Sequence, residues 1–264
     1  MMRLCALALG LLAPTFTTAA IIEQYSFTAA QTGTLPAPLS GSYEPGTDVS
    51  VQPLAAFLPS IAVDHPGGDG YAVRVGDLDL DGAGYNWLFS TTAAAQTNVS
   101  LSAWVYIDWE TVDAPAQQRA YLLLLRSATD PNPQEIPQRQ GYIFVIAQDS
   151  AWSGISPNPP AKRPFIMKLE DTDHTLLSSY GTADIGTGWH LLKVQAEGSV
   201  LRFFVDDMAN PVATATDSTY ASGFAGIGYY DDNYGGPNPS YAAAYDEVIY
   251  ETLASDVQDW SLAE

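Results

Sequence analysis

The stretch VSLSAWVYID, residues 99–108, alternates apolar and polar or amphipathic side chains along its whole length. Val99, Leu101, Ala103, Val105 and Ile107 form one set, and the serines, Trp104, Tyr106 and Asp108 form the other. Successive side chains of a β-strand point to opposite faces of a sheet. The stretch therefore predicts a strand with one face in a core and the other towards solvent.

The same alternation recurs along the chain. WHLLKVQA (189–196) and VLRFFVDD (200–207) flank Glu197-Gly198-Ser199, which is typical of a hairpin turn. YLLLLR (121–126) and YIFVIA (142–147) are apolar at nearly every position, and we interpret them as strands buried on both faces. Many short strands separated by turns favour an all-β fold, an antiparallel two-sheet β-sandwich.

The first 20 residues have a different character. MMRLCALALGLLAPTFTTAA carries one early positive charge, Arg3, followed by an apolar run and by small residues up to Ala20. This layout is that of a secretory signal peptide, and the apolar run is too short to span a bilayer. We expect cleavage near Ala20 and Ile21, a secreted or periplasmic location, and one domain over residues 21–264. A retained N-terminal membrane anchor is the alternative.

The composition is strongly acidic. Ten Lys and Arg face 30 Asp and Glu, which gives a formal net charge of −20 and a pI near 4.1. So few cations disfavour nucleic acid and anionic membrane surfaces as partners. The single cysteine, Cys5, lies within the expected signal peptide, so the mature chain has no thiol chemistry. About 240 residues can bury a core without disulfides.

Four segments, taken in order, resemble a known family. VSLSAWVYID is similar to a "sxsaWv" strand, GWHLLKVQAEGSVLRFFVDD to a following hairpin, GFAGIGYY with AAYDEVIYE to a closing pair, and IIEQYSF to a first strand. These are the patterns of the concanavalin A-like, laminin-G-like jelly rolls, and the resemblance spans roughly residues 21 to 251 as a loose pattern. It implies a single-domain jelly roll. Because the family includes lectins, glucanases, lyases and adhesion modules, it implies glycan contact without fixing the chemistry.

The catalytic signature of the glucanases of this family is missing from the sequence. Retaining enzymes place Glu-x-Asp-x-Glu on one strand, so that two carboxylates project about 5 Å apart. No Glu in this chain is followed by Asp two places later, and Glu247-Val-Ile-Tyr-Glu251 lacks the intervening Asp. We therefore expect a carbohydrate- or surface-ligand-binding protein without catalysis of its own. The alternatives are a lyase or glycoside hydrolase with dispersed residues, and a structural or adhesion module of the cell envelope.

A tyrosine-rich segment is the first candidate for sugar contact. YYDDNYGGPNPSY (229–241) is polar and rich in glycine, which favours a loop. Aromatic faces stack on sugar rings while acids and amides bind hydroxyl groups. The expected contacts with a polysaccharide or cell-surface glycan are Tyr229, Tyr230, Asp232, Asn233, Tyr234 and, from another loop, Trp152. The alternative is that these tyrosines merely cover one end of the sandwich.

The resemblance also implies a structural calcium that joins the first strand, an early glycine turn and an Asp of the last strand. The matching residues here are Glu23, the carbonyl of Gly70, and Asp246. By simple alternation Asp246 is expected on the same side as Val248, where a carboxylate needs a partner. Calcium is one such partner, and hydrogen bonds from backbone or tyrosine groups are the alternative.

Overall fold

The structure is a computed structural model of the chain and describes residues 19–36, 40–41, 49–57, 61–77, 83–89, 97–109, 119–127, 139–148, 159–171, 173–232 and 241–254. Strands dominate these residues, and short 3₁₀ turns form at Ala29–Gln31 and Leu54–Ala56. No helix in the described part of the chain has the length and apolar character needed to cross a membrane.

The strands follow one another closely along the chain. In chain order they are β1 Ile21–Tyr25, β2 Ser40–Gly41, β3 Ser50–Pro53, β4 Tyr71–Asp77, β5 Ala83–Phe89, β6 Val99–Ile107, β7 Arg119–Ser127, β8 Arg139–Ala147, β9 Pro164–Asp171, β10 Asp173–Leu176, β11 Gly188–Glu197, β12 Val200–Val205, β13 Ala213–Thr216, β14 Phe224–Asp232 and β15 Tyr241–Thr252. Residues 1–18 lie outside the described residues, so the signal peptide and the domain limits remain predictions. β1 begins at Ile21, directly after the expected cleavage site.

Two antiparallel sheets make up the sandwich. The eight-stranded sheet has the order β13-β12-β11-β6-β15-β4-β3, and β1 pairs with the second half of β15. The seven-stranded sheet has the order β10-β9-β8-β7-β14-β5-β2. The antiparallel two-sheet β-sandwich expected from the alternation is confirmed.

The core between the sheets follows the alternation of the sequence. In β6, the five residues from Val99 to Ile107 that were assigned to the core are 0–2% exposed. They meet the inward side chains of the other sheet, among them Tyr121, Leu123 and Phe144. The hairpin predicted at residues 197–199 is also confirmed, because β11 and β12 pair from Glu197↔Val200 onwards. Gly198 adopts a φ of 55°, a left-handed conformation that glycine reaches without steric cost.

The outer face of the seven-stranded sheet is apolar and buried. Its residues, which we call the apolar face, are Ala120, Leu122, Leu124, Ile143, Val145, Ala147, Phe165, Met167, Leu169 and Tyr230. They alternate with the inward residues of the same strands and are 0–9% exposed. The interpretation of β7 and β8 as strands buried on both faces is therefore confirmed.

A β-bulge interrupts the last strand. The pairing of β15 with β6 shifts between Asp246 and Ile249, and Glu247 has a φ of 50°. A bulge adds one residue and reverses the alternation beyond it. Tyr245 and Val248 both pack in the core between the sheets, whereas Asp246 contacts groups on the outer face of the eight-stranded sheet. The expectation that Asp246 shares a side with Val248 is wrong for this reason.

Candidate functional site

Three aromatic side chains stand together on the outer face of the eight-stranded sheet. Trp104 and Tyr106 alternate with buried core residues of β6, and Trp189 lies opposite Tyr106 on β11. The rings of Tyr106 and Trp189 meet edge to face, with centroids 5.6 Å apart. All three side chains are partly exposed. We call this group the aromatic face.

The segment before β4 folds over one end of the aromatic face. Leu54, Phe57 and Ile61 pack there in a small apolar cluster, against which Tyr106 and Trp189 also pack. The indole nitrogen of Trp189 donates a hydrogen bond to the carbonyl of Val63 at 2.8 Å. These contacts hold one end of the aromatic face in a fixed position and leave the end nearer Trp104 beside polar side chains.

Polar side chains continue from Trp104 along the same sheet face. The group, which we call the polar strip, consists of Ser102, Lys193, Gln195 and Glu251, all partly exposed. Ser102 lies opposite Lys193, and Glu251 accepts a hydrogen bond of 2.8 Å from the hydroxyl of Ser100. The ammonium of Lys193 is 3.6 Å from a carboxylate oxygen of Glu251. An aromatic surface beside hydroxyl, amide, ammonium and carboxylate groups can bind a polar ligand that also has an apolar face.

The tyrosine-rich segment has a different structure from the one expected. Tyr229 and Tyr230 belong to β14 and are 1% and 9% exposed. Tyr229 packs edge-on against Tyr121 in the core between the sheets, and Tyr230 belongs to the apolar face. The expectation that these two are exposed loop residues is wrong, because β14 extends as far as Asp232 and is covered on both sides. Asn233, Tyr234 and Trp152 lie outside the described residues.

The residues expected to hold calcium do not form one site. Glu23 lies beside Tyr25, whose ring packs against the core between the sheets and whose hydroxyl donates to Glu23 at 2.9 Å. Burial and this hydrogen bond raise the pKa of Tyr25. Asp246 instead reaches the opposite side of the eight-stranded sheet. One oxygen of Glu23, Oε1, is buried and has no hydrogen-bond partner among the described residues.

The environment of Asp246 and Gly70 does not suit calcium. One oxygen of Asp246 accepts hydrogen bonds from the backbone N–H groups of Phe27 and Glu247, at 3.1 and 2.7 Å. The other lies 2.9 Å from the Nε2 of His65. The carbonyl of Gly70 accepts from the N–H of Leu54 at 3.0 Å. Calcium takes six to eight oxygen ligands, and N–H donors that point at the same oxygens compete with it.

The rest of the described part of the chain offers no alternative site for the ion. No group of three or more His, Cys, Asp and Glu side chains there could hold a metal ion. The carboxylate of Asp64 is also engaged, because it accepts from the N–H groups of His65 and Gly70 at 2.7 Å each. The disagreement with the calcium expectation therefore rests on the hydrogen-bonded oxygens of Asp246, Asp64 and Gly70, and on the position of Glu23 on the other side of the sheet.

Sequence reasoning missed the two features that define this face. His65 was not singled out from the sequence, yet it is 3% exposed and stacks on Trp104. The alternation placed Trp104 and Trp189 on the side away from the core without marking them as a site. Two tryptophans at outward positions of paired strands are the signal that could have found it.

The comparisons with known proteins concern the fold. No protein-family profile and no curated protein matches the sequence. A protein of unknown function with a galectin-like fold from Bacillus subtilis is similar in structure, with 9% sequence identity, coverage of 90% of this chain and 100% of that chain, and a TM-score of 0.52.

Two further solved structures are similar. The CBM2 module of the evolved Dit of Lactobacillus casei BL23 phage J-1 has 12% identity, covers 90% of this chain and 98% of its own, and gives a TM-score of 0.51. The exoplasmic/lumenal domain of VIP36, in a Ca²⁺/Man3GlcNAc-bound form, has 8% identity, covers 85% of this chain and 88% of its own, and gives a TM-score of 0.49. The galectin-like and CBM2 structures show that the chain has the concanavalin A-like jelly-roll fold that its sequence motifs resemble.

Proposed function

We propose that this protein is an exported carbohydrate-binding β-sandwich without catalysis of its own. The fold supports the proposal at a coarse level, since one of its structural neighbours is a carbohydrate-binding module. Fold alone does not fix function, because one fold hosts many activities. Support for a specific function therefore has to come from the surface that the chain presents.

The observation that carries the proposal is the aromatic face with its adjoining polar strip. Trp104 and Trp189 are partly exposed although tryptophan buries favourably, and they lie on a rigid sheet instead of a loop. Stacking on an aromatic ring favours the apolar face of a sugar, and Lys193, Gln195 and Glu251 offer donors and acceptors to its hydroxyl groups. Little reorganisation of the backbone is needed for such contacts.

A second stretch of the glycan surface is proposed from composition. Asp232 ends β14 and is followed by Asn233 and Tyr234 in a segment rich in Gly, Pro and polar residues. Trp152 lies earlier in the chain, in another segment of this kind. Their side-chain types suit a sugar as well as those of the aromatic face do. With Tyr229 and Tyr230 buried, the tyrosine-rich segment offers fewer stacking rings than its sequence implied.

Export is part of the proposal and has its own support. The first 20 residues have the layout of a signal peptide. The excess of carboxylates suits an exterior where cations screen them. N-terminal sequencing of the secreted or periplasmic protein tests this, and a mature N-terminus far from Ile21 would contradict it.

The binding proposal is tested on a glycan array, followed by affinity measurements on the glycans that bind. We expect Trp104→Leu to weaken binding about fivefold or more, because a stacking contact of roughly 1 kcal/mol is lost. Trp109→Leu is the matched control. Trp109, like Trp104, contacts another aromatic ring, in its case Tyr121 edge to face, but it is buried away from the aromatic face.

The outcome separates binding from folding. Both variants should lose stability, and only Trp104→Leu should lose binding. Equal binding by the two variants would contradict a role for the aromatic face. Each bound glycan is also incubated with the protein and assayed for new reducing ends and for unsaturated products. Turnover of any of them would contradict the absence of catalysis.

A further inference from the structure

His65 occupies a closed position between two tryptophans and the last strand. Its ring stacks on Trp104, with centroids 5.2 Å apart and planes 14° apart, and meets Trp189 edge to face at 5.1 Å. Its Nε2 lies 2.9 Å from an oxygen of Asp246, and its Nδ1 lies 3.2 Å from the carbonyl of Pro66. A carboxylate oxygen accepts hydrogen bonds, so Nε2 is the donor in the contact with Asp246.

Asp246 thereby connects three separate parts of the chain. Its Oδ1 receives the N–H of Phe27, just after the first strand, and the N–H of Glu247, in the bulge of the last strand. Its Oδ2 receives the ring of His65, in the glycine-rich turn of residues 64–70. Asp64 fixes that turn by accepting from the N–H groups of His65 and Gly70.

These are the three parts that the structural calcium of the resembling family would join: the first strand, an early glycine turn and an Asp of the last strand. We propose that the side chain of His65 takes the place of calcium at this junction, so that this chain holds it together without the ion. The oxygens of Asp246 and Asp64 accept hydrogen bonds from backbone N–H groups and from the ring of His65. An ion that needs several oxygen ligands around one point would have to compete with these donors.

The position of Asp246 explains why the exchange is possible. Alternation with the buried Tyr245 puts Asp246 on the outer face of the sheet, opposite Trp104, and the bulge at Glu247 returns Val248 to the core. On that outer face the two tryptophans form the walls of a slot for a flat ring. Glu23, the other acidic residue expected at the ion, remains on the core side next to Tyr25. The acidic side chains are thus divided between two faces, whereas calcium needs them around one point.

The test measures thermal unfolding of the purified protein with excess EDTA and with excess CaCl₂. We expect the same Tm in both, because an ion that binds only the folded state makes the Tm depend on its concentration. His65→Ala should lower the Tm by several degrees in both conditions. His65→Gln keeps an N–H donor near the position of Nε2 and should recover part of the loss, which also guards against a His65→Ala variant that does not fold.

His190→Ala is the matched control. His190 also contacts a carboxylate, Asp206, at 2.7 Å, but that carboxylate is half exposed and the pair lies away from the junction. A lower Tm of the unaltered protein in EDTA than in calcium would overturn the proposal, and so would a His65→Ala variant as stable as His190→Ala. The Tm measurement needs no glycan. A result against the His65 proposal would therefore leave the proposed glycan binding untouched, and a protein that binds no glycan could still have the expected Tm values.

Discussion

The outer faces of the two sheets arise from the same alternation and have opposite characters. The apolar face of the seven-stranded sheet is built from Leu, Ile, Val, Phe and Met side chains that are fully buried. The aromatic face of the eight-stranded sheet has Trp and Tyr beside Ser, Lys and Gln, all partly exposed. The difference teaches that β7, β8 and β9 are buried on both sides, whereas β6 and β11 are buried on one side and keep aromatic and polar side chains partly exposed on the other.

The largest expected effect is on the apolar face. Leu124→Ala should lower the free energy of unfolding by about 2–5 kcal/mol, because it removes fully buried methyl groups and leaves a cavity. Leu191→Ala, opposite Trp104 on the partly exposed face, should cost about 1 kcal/mol or less. Urea unfolding of both variants measures the two costs. Equal losses would mean that the two faces do not differ as described.

We expect an intermediate effect on stability from Tyr142, which lies in the core between the sheets. Burial raises the pKa of Tyr142 to about 12. The hydrogen bond that its hydroxyl accepts from the N–H of Tyr220 lowers the pKa in part, and the one that it donates to Asp217 raises it further. The folded state therefore favours the neutral phenol, whose ordinary pKa is near 10. The stability that this provides is complete below pH 10 and is lost as the pH rises towards 12.

Tyr142→Phe should cost about 1 kcal/mol near neutral pH through the lost hydrogen bonds. It should also flatten the fall of stability between pH 10 and pH 12. Guanidinium unfolding at a series of pH values measures both effects. A variant whose stability falls as steeply as that of the unaltered protein would show that Tyr142 does not titrate in this range.

The smallest expected effect on stability is on the polar strip. Lys193→Ala should change the free energy of unfolding by about 0.5 kcal/mol or less, because its pair with Glu251 is about a quarter exposed at both side chains. It should weaken glycan binding several-fold. Arg202→Ala, which breaks a similar pair with Glu197 on the neighbouring strand, is the control for binding. A loss of binding in Arg202→Ala alone would move the ligand surface to β12.

Much of the fold could be predicted because its signal is local. The alternation in residues 99–108 and the glycine turn at residue 198 report directly on neighbours in sequence, and uninterrupted apolar runs identified β7 and β8 as buried on both faces. The same reasoning failed where one residue breaks the period. A single residue with positive φ, Glu247, reverses the assignment of Asp246, and nothing in AAYDEVIYE marks it.

The candidate site was harder to predict because its contacts are distant in sequence. His65 and Asp246 are separated by 181 residues, and they meet because the turn before β4 folds over the centre of a sheet that β15 completes. Tyr229 and Tyr230 were expected in an exposed loop and are buried in a strand. Their burial depends on the strands and segments that cover them, which are distant in sequence. The polarity of the residues that follow them argued for a loop, while their neighbours in β7 form a ladder with them.

The position of β15 has a consequence for how the chain is made. Residues 241–252 pair with β1, β4 and β6, so a strand near the C-terminal end lies in the middle of the eight-stranded sheet. Until the ribosome has released these residues, the earlier strands of that sheet lack their central partner, and pairings over such long separations form slowly. A nascent chain with this order of strands cannot complete the eight-stranded sheet before residues 241–252 are available. The fold closes once its last strand arrives.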